Sequence, residues 1–287
     1  MTRITSSFES SLVDIQWLQE NLSADNLVVL DASVPPVVAG YTSINTEENF
    51  AAIPGARRFD YDKKVCAPNT SLPHMMPSAE LFQSEARKLG INADSVIVVY
   101  DDVGLYASPR AWWMFRAMGH DKVVVLDGGL PAWVDAGHST FDHLLSDVAE
   151  GNFIATASSE YFCDFNVVLA ALDDRSCTIL DARSAGRFYG TAPEPRPGVR
   201  GGHMPNAKSL PFPEILDGSL MKPVSELETI FVDLASKEQK LITSCGSGIT
   251  ACILTLAADL AGYKNLAAYD GSWAEWGAPS KLPVVME

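Results

Sequence analysis

The stretch "KLITSCGSGITACILTL" (Lys240–Leu256) joins a short run of strand-forming residues, a turn with two glycines and a helical pattern. Cys245 lies in the turn, directly after the strand-forming run. A buried strand followed by a glycine-rich turn and a helix is typical of an open parallel α/β sheet, which binds ligands at the carboxyl ends of its strands. The stretch therefore predicts an α/β fold and places a thiol at the ligand-binding edge.

The same pattern occurs earlier in the chain, at "VIVVYDDVGLYASPRAWW" (Val96–Trp113). Likewise, "NLVVLDAS" (Asn26–Ser33) recurs as "CTILDARS" (Cys177–Ser184), and the repeated blocks keep their order. One long repeat indicates two homologous domains rather than a solenoid. We predict a first, catalytically silent domain at residues 1–144, a linker at 145–159 and a second, catalytic domain at 160–287.

Each half alternates continuous apolar runs with helical patterns, which predicts two doubly wound domains, each a parallel sheet flanked by helices. Helical spacing begins after serine in "SLVDIQWLQENL" (Ser11–Leu22) and in "SAELFQSEARKLGI" (Ser78–Ile91). The predicted strands are Leu27–Leu30, Val96–Tyr100, Lys122–Leu126, Thr178–Leu180, Leu241–Thr243 and Asn265–Tyr269.

Charge and cysteine content limit the classes of partner. The 287 residues include 21 Lys and Arg against 36 Asp and Glu, a formal net charge of −15. Such a surface repels phosphate backbones and anionic lipids, so we expect no nucleic-acid or membrane partner. The five cysteines are scattered without a CxxC pair, and no signal peptide or membrane span is evident. We therefore expect a cytoplasmic protein with reduced thiols and neither a metal nor an organic cofactor.

The turn around Cys245 has the features of an anion cradle. Exposed main-chain amides at Gly246 and Gly248 and a helix start near Ile249–Thr250 favour the ionised sulfur. We therefore predict that Cys245 is a nucleophile, whereas the aligned Asp101 of the first half is not. A tyrosine-phosphatase loop would need an arginine six positions after its cysteine, and this chain has an alanine there.

Four arginines occur within eighteen residues of this acidic chain, in "RSAGRFYGTAPEPRPGVR" (Arg183–Arg200). Concentrated positive charge is what a site for a small anion requires, and the planar arginine fork suits the carboxylate and ketone of an α-keto acid. The alternative is an ordinary solvated loop. Arg183 follows the strand end at Asp181, so a structural ion pair is the alternative role for that residue.

With "CGSGITA" (Cys245–Ala251), the sequence resembles the two-domain rhodanese family of sulfurtransferases over nearly the whole chain. Blocks at Asp181–Ala207 and Ile53–Pro77 also resemble that family. Family members that use thiosulfate carry Arg-Lys after the cysteine, and members that use 3-mercaptopyruvate carry Gly-Ser, as Gly246-Ser247 does here. The resemblance implies transfer of sulfur from 3-mercaptopyruvate to a thiol acceptor, such as a thioredoxin-like protein, or to cyanide.

The resemblance also implies roles for individual residues. Cys245 would carry the sulfur as a persulfide, Arg187 and Arg196 would bind the substrate, and Asp62, His74 and Ser247 would form a proton relay. A turn or packing role is the alternative for His74, and Asp60 lies close to Asp62 on the same kind of turn. The remaining predicted substrate-binding residues are Gly246, Gly248, Ile249 and Thr250.

Two other functions stay open at this point. The first is a thiosulfate sulfurtransferase with the same nucleophile. The second is a non-catalytic sulfur carrier or interaction module, in which the domain pair serves as a docking surface.

Overall fold

The structure is a computed structural model that describes residues 2–5 and 8–286. In the first half of the chain, short strands alternate with helices of up to about three turns. Its elements are β1 (Leu12–Val13), α1 (Ile15–Asn21), β2 (Leu27–Asp31), β3 (Arg57–Arg58), α2 (Ala79–Lys88), β4 (Val96–Tyr100), α3 (Ser108–Ala117), β5 (Val123–Leu126) and α4 (Gly129–Asp135).

The second half repeats this alternation and adds a 3-10 turn at Phe212–Ile215 with two short strands after it. Its other elements are β6 (Phe162–Cys163), α5 (Phe165–Ala171), β7 (Cys177–Asp181), α6 (Ala185–Phe188), β8 (Lys208–Ser209), β9 (Leu216–Asp217), β10 (Leu220–Met221), α7 (Val224–Val232), β11 (Lys240–Ser244), α8 (Ala251–Leu260), β12 (Leu266–Tyr269) and α9 (Ser272–Trp276).

Each half builds a parallel sheet with the same strand order. The first sheet runs β1-β5-β4-β2-β3 and the second runs β6-β12-β11-β7-β8. Their central strands are continuous apolar runs because helices cover the sheet, and every residue of β4 is buried. The predicted α/β class with two parallel sheets flanked by helices is confirmed.

The predicted strands match the observed ones to within one residue at each end. The helix predicted after Ser11 begins later, because Leu12–Val13 joins the sheet edge as β1. Asp14 caps that helix instead, accepting a hydrogen bond from Trp17 N. Ser78 caps the second predicted helix as expected and accepts from Leu81 N.

The chain divides into two compact units, and each contains a short segment from the other half of the sequence. The first unit comprises the described residues up to Cys66, Pro77–Ser158 and Gly218–Met221. The second comprises Ala67–Met76, Ser159–Asp217 and the described residues from Lys222 onward.

An equivalent aspartate holds the inserted segment in each unit. In the first unit Asp127 Oδ1 accepts from Met221 N (2.9 Å), and in the second Asp270 Oδ2 accepts from Met76 N (2.8 Å). The recurrence of these aspartates in both halves is thus explained by the fold rather than by catalysis.

Tryptophans fill the core of each unit. Trp133 is buried in the first core, and Trp273 and Trp276 are buried in the second. All five cysteines, which lie in the described residues, are free thiols. Within the described residues, no helix has the length and apolar character needed to cross a membrane.

Candidate active site

The main chain of Cys245 is held by the turn between β12 and α9. Cys245 N donates to Ser272 Oγ (3.2 Å), and Ser272 Oγ donates to Tyr269 O (2.8 Å). The Cys245 carbonyl accepts from Trp273 N (2.9 Å). Ser272 has a positive φ of 47°, a conformation that costs energy in a residue with a Cβ. The thiol is therefore presented from a backbone that two neighbouring strand ends fix.

The sulfur itself accepts a main-chain hydrogen bond. Gly248 N donates to Cys245 Sγ at 3.1 Å, and a positive φ of 80° at Gly248 aims this amide at the sulfur. Cys245 is only 2% exposed. Helix α8 begins at Ala251, so the positive end of its dipole also lies close to the loop. The sulfur therefore lies within reach of a main-chain donor and near the positive end of a helix.

Gly246 does not have a positive φ, and its lack of a side chain instead leaves space for neighbouring arginines. A Cβ at this position would lie 3.2 Å from Arg187 Nη2 and 3.9 Å from Arg196 Nη1. The structure thus brings Arg187 and Arg196 onto the residue that follows the thiol. A small anion beside the sulfur would meet both guanidinium groups.

Glu194 orients Arg187. Its Oε2 accepts from Arg187 Nε (3.1 Å) and Nη2 (2.5 Å), while its Oε1 accepts from Arg183 Nη1 (2.8 Å). The Glu194 side chain is almost fully buried. Because an arginine has five N–H donors, this pairing leaves Arg187 with donors for a ligand. Glu194 therefore fixes the Arg187 guanidinium in position and leaves some of the N–H donors of Arg187 unused.

The other two arginines of the cluster serve the fold. Arg183 is buried, pairs with Asp181 (2.6 Å) and stacks over the Trp273 ring at 4.0 Å. Arg200 donates to the carbonyls of Trp276 (2.7 Å) and Leu282 (3.0 Å). The structural alternative considered for Arg183 is therefore correct.

A family model described as a rhodanese-like domain matches residues 14–136 and again residues 165–279. The chain belongs to the rhodanese family. The thiosulfate/3-mercaptopyruvate sulfurtransferase 2 of Arabidopsis thaliana is 38% identical over 97% of this chain and 87% of its own length. The 3-mercaptopyruvate sulfurtransferase of Mus musculus is 41% identical over 93% of this chain and 91% of its own length.

A solved structure agrees with these relatives. The crystal structure of SseA from Escherichia coli, a 3-mercaptopyruvate sulfotransferase with the rhodanese fold, matches with a TM-score of 0.78 and 33% identity. The match covers 92% of this chain and 99% of SseA. The predicted family and its two rhodanese-like domains are confirmed.

The remaining predicted site residues fall in two places. Ser247, Ile249 and Thr250 are buried in the loop between β11 and α8. His74 belongs to the same unit, on the inserted segment, and is half-buried with a positive φ of 60°. Asp62 belongs to the other unit, where its carbonyl accepts from Cys66 Sγ at 3.4 Å. The relay through Asp62, His74 and Ser247 stays a prediction.

Three of the other cysteines have pKa values above that of an ordinary thiol. Burial raises the pKa of Cys163 to about 12. Burial, followed by the negative charge of Asp62, raises the pKa of Cys66, and burial with Asp174 raises that of Cys177. Because the thiolate is the reactive form, these three thiols react slowly at neutral pH.

Sequence reasoning missed two residues at this site, Glu194 and Ser272. Glu194 is the only acid within the arginine cluster between Arg183 and Arg200, so the charge pattern was a usable signal. Ser272 aligns with Gly129 of the first half, which also has a positive φ (55°). Glycine is the residue that favours a left-handed backbone, so a serine aligned with a glycine of the repeat is a signal of a special position. Aligning the two halves could therefore have pointed to Ser272.

The equivalent loop of the first unit holds a carboxylate in place of the thiol. Asp101 Oδ1 accepts from the main-chain amides of Val103 (3.0 Å) and Gly104 (2.9 Å). Asp101 Oδ2 accepts from three further amides and one hydroxyl: Tyr106 N (3.1 Å), Ala107 N (2.8 Å), Ser108 N (2.8 Å) and Ser108 Oγ (2.7 Å). The donors of this loop are therefore engaged by the chain's own side chain.

Proposed function

We propose that this protein transfers sulfur from 3-mercaptopyruvate to a thiol acceptor or cyanide through a persulfide on Cys245, with release of pyruvate. The observation that carries the proposal is a thiol whose sulfur accepts an amide hydrogen bond from Gly248, with two arginine guanidiniums beside the next residue. Relatives named as 3-mercaptopyruvate sulfurtransferases support the choice of reaction.

The donor is bound through its α-keto acid group. Its carboxylate and ketone oxygens lie on one side of a planar unit, which suits the donors of Arg187 and Arg196. We also assign Gly246, Gly248, Ile249 and Thr250 to this site, since they share the loop of Cys245 and a Cβ on Gly246 would lie 3.2 Å from Arg187 Nη2. Binding in this orientation directs the donor's sulfur toward Cys245.

The first chemical step moves one sulfur atom. The Cys245 thiolate attacks the sulfur of 3-mercaptopyruvate, an S–S bond forms and the C–S bond breaks. The electron pair of the broken bond passes into the enolate of pyruvate, and the proton of the donor thiol reaches its carbon. Arginines near the ketone oxygen stabilise the negative charge that develops there. We assign the proton transfer to the relay of Ser247, His74 and Asp62.

The second step returns the thiolate. An acceptor attacks the outer sulfur of the persulfide, so the S–S bond breaks and its electron pair stays on Cys245. Cyanide leaves as thiocyanate, and a thiol leaves as a persulfide. With a dithiol, such as a thioredoxin-like protein, the second thiol then displaces hydrosulfide and forms a disulfide. The first unit supplies no nucleophile, because Asp101 stands at the position of the cysteine.

Thiosulfate is the second candidate donor, since the Arabidopsis relative is named for both donors. The loop favours mercaptopyruvate, because Gly246-Ser247 adds no positive charge for a dianion. We place the reaction in the cytoplasm on the basis of the five free thiols, which suit a reducing compartment. Fractionation of cells that express the tagged protein tests this location.

The deciding experiment compares the two donors with the wild-type protein and two cysteine variants. We expect pyruvate and thiocyanate in equal amounts from mercaptopyruvate and cyanide, with a kcat/KM above that for thiosulfate. Cys245→Ser should abolish both products. Cys177→Ser, a matched change at a half-buried thiol elsewhere in the unit, should leave turnover unchanged.

Mass spectrometry after treatment with mercaptopyruvate alone identifies the carrier. The peptide that contains Cys245 should gain one sulfur and lose it when cyanide is added. A sulfur adduct that never turns over would support the non-catalytic carrier instead. Normal turnover by Cys245→Ser would exclude the proposed mechanism.

A further inference from the structure

The turn between β12 and α9 supports the loop that carries the thiol. Ser272 Oγ accepts from Cys245 N (3.2 Å), and Ala274 N donates to the Gly246 carbonyl (2.9 Å). Asp270 begins this turn directly after β12 and is only 7% exposed. Any group that Asp270 holds is therefore connected to the cysteine loop through a short, hydrogen-bonded turn.

Asp270 holds the inserted segment Ala67–Met76, which belongs to the same unit. Its Oδ2 accepts from Met76 N at 2.8 Å. His74 lies two residues before this amide and has a positive φ of 60°, a conformation uncommon for a residue with a side chain. The histidine is half-buried, and its Nδ1 atom is shielded from solvent. One turn thus holds both the cysteine loop and the segment that carries His74.

The first unit contains the same arrangement. Asp127 Oδ1 accepts from Met221 N (2.9 Å), which lies on the segment inserted there. Three residues after Asp127, Leu130 N donates to the carbonyl of Asp101 (2.9 Å). In the second unit, the residue three positions after Asp270 donates in the same way to the carbonyl of the cysteine. The two units therefore share the complete pattern of turn, loop and held segment.

The first unit also shows where the held segment lies. Ser219 is two residues before Met221, and a Cβ added at Gly104 would lie 2.7 Å from Ser219 Cβ and 3.1 Å from its carbonyl oxygen. Gly104 is the counterpart of Gly248, because each glycine follows the central residue of its loop by three positions and donates to it. The residue two positions before the held amide therefore packs on the glycine that faces the central side chain.

We propose that Asp270 is a positioning residue for sulfur transfer, which holds His74 at the cysteine loop through its hydrogen bond to Met76 N. His74 has the place in its segment that Ser219 has in the other, so the same bond places His74 beside Gly248, whose amide faces the sulfur. The inference rests on the proposed function, in which His74 belongs to the relay that moves a proton during pyruvate release. The bond in the first unit has no such consequence, because Ser219 carries no acid or base that titrates near neutral pH.

The kinetic test measures pyruvate formation in a single turnover at saturating mercaptopyruvate, per folded molecule. Asp270→Ala removes the acceptor of the Met76 amide, so this rate should fall at least about tenfold. The donor concentration for half-maximal rate should change by no more than about threefold, because the arginines assigned to donor binding are intact.

Two further variants test how Asp270 acts. Asp270→Asn keeps an oxygen that can accept from Met76 N, and its rate should stay within about threefold of the wild type. Asp127→Ala is the matched control, because it removes the equivalent bond in the first unit. Its rate of pyruvate formation should equal that of the wild type.

A double variant separates positioning from a general loss of structure. His74→Ala alone should lower the rate of pyruvate formation at least about tenfold, as expected for a residue that moves a proton. Asp270→Ala in the His74→Ala background should lower the rate by no more than about twofold further, because the proposed effect passes through the imidazole.

Amide hydrogen exchange gives a readout that needs no substrate. In Asp270→Ala, exchange of the peptide that contains Met76 should be at least about tenfold faster, because the amide has lost its acceptor. In Asp127→Ala that peptide should exchange as in the wild type, and the peptide that contains Met221 should exchange faster instead.

Five results would overturn the positioning role: unchanged pyruvate formation in Asp270→Ala, an equal loss in Asp127→Ala, no rescue by Asp270→Asn, independent losses in the double variant, and unchanged exchange at Met76. A wild-type protein that forms no pyruvate would refute the proposed function itself. Normal wild-type turnover together with any of the five results would refute only the role of Asp270.

Discussion

The two units contain the same strand–turn–helix loop with opposite contents. In the first, the carboxylate of Asp101 accepts hydrogen bonds from five amides and one hydroxyl of its own loop. In the second, Cys245 Sγ accepts from Gly248 N, and arginines lie beside the next residue. The N–H donors of the first loop are thus engaged by its own carboxylate. The second loop directs an N–H donor at the sulfur that the proposed mechanism uses.

The comparison shows that this turn directs main-chain N–H donors at the same side-chain position in both units, and that this side chain is a carboxylate in the first and a thiol in the second. Main-chain amides and a helix start supply the positive potential in either case. A fixed carboxylate uses that potential for stability. In the proposed mechanism, the thiol of the second loop uses it for reaction.

The largest expected effect comes from making the second loop like the first. Cys245→Asp should lower kcat/KM for mercaptopyruvate by at least about 1000-fold, because a carboxylate cannot form the persulfide. The free energy of unfolding should change by no more than about 1 kcal/mol, since the new carboxylate can accept from the loop amides. Pyruvate release and urea unfolding measure the two quantities. A large loss of stability would contradict the interpretation that the two loops present equivalent main-chain donors.

The next effect concerns the internal carboxylate of the first loop. Asp101→Asn should lower the free energy of unfolding by about 3 kcal/mol, because buried amides would face an N–H₂ group and lose acceptors. Denaturant unfolding of the full-length protein measures this change. The exposed substitution Asp142→Asn is the matched control and should have little effect. Sulfur transfer per folded molecule should persist in both variants.

A smaller effect is expected from Arg187→Lys. Lysine keeps the positive charge but loses the planar fork that Glu194 orients, so kcat/KM for mercaptopyruvate should fall about 30-fold. Steady-state kinetics measure this change. Arg175→Lys, at an exposed arginine outside the cluster, should leave kcat/KM at the wild-type value. An equal decrease in both variants would remove the special role of Arg187.

The smallest effect is expected from Gly246→Ala. The added Cβ would lie 3.2 Å from Arg187 Nη2, so the guanidinium must shift by a few tenths of an ångström. We expect kcat/KM for mercaptopyruvate to fall about fivefold, since a small misplacement weakens orientation. In an Arg187→Ala background the same substitution should have almost no further effect. Additive losses in the double variant would show that the methyl group acts elsewhere.

Much of the fold could be predicted because local signals and the global fold agree. The apolar runs at the central strands, the cap at Ser78 and the repeat of the two halves all indicate the same architecture. The start of α1 was misplaced because Leu12–Val13 is apolar enough to fit a helix or an edge strand. Only pairing with β5 distinguishes these two, and that pairing is more than a hundred residues away.

The site was less predictable, because side-chain partners are not encoded by spacing. Spacing alone did not separate the four arginines, although the strand end at Asp181 suggested a structural role for Arg183 and the family resemblance singled out Arg187 and Arg196. In the structure, two of the four hold the fold and two lie against the cysteine loop. The inserted segments were also invisible, since Ala67–Met76 and Gly218–Met221 carry no motif that assigns them to the opposite unit.

The amino-acid order alone determined the repeated α/β pattern and the position of Cys245 at a strand end, because hydrophobic period and glycine placement are local properties. Tertiary structure alone decided which charges meet that thiol and which carboxylate fills the other loop. Those outcomes depend on contacts between residues far apart in the chain, such as Arg187 with Gly246, whose geometry is set only when the sheet and its loops are packed.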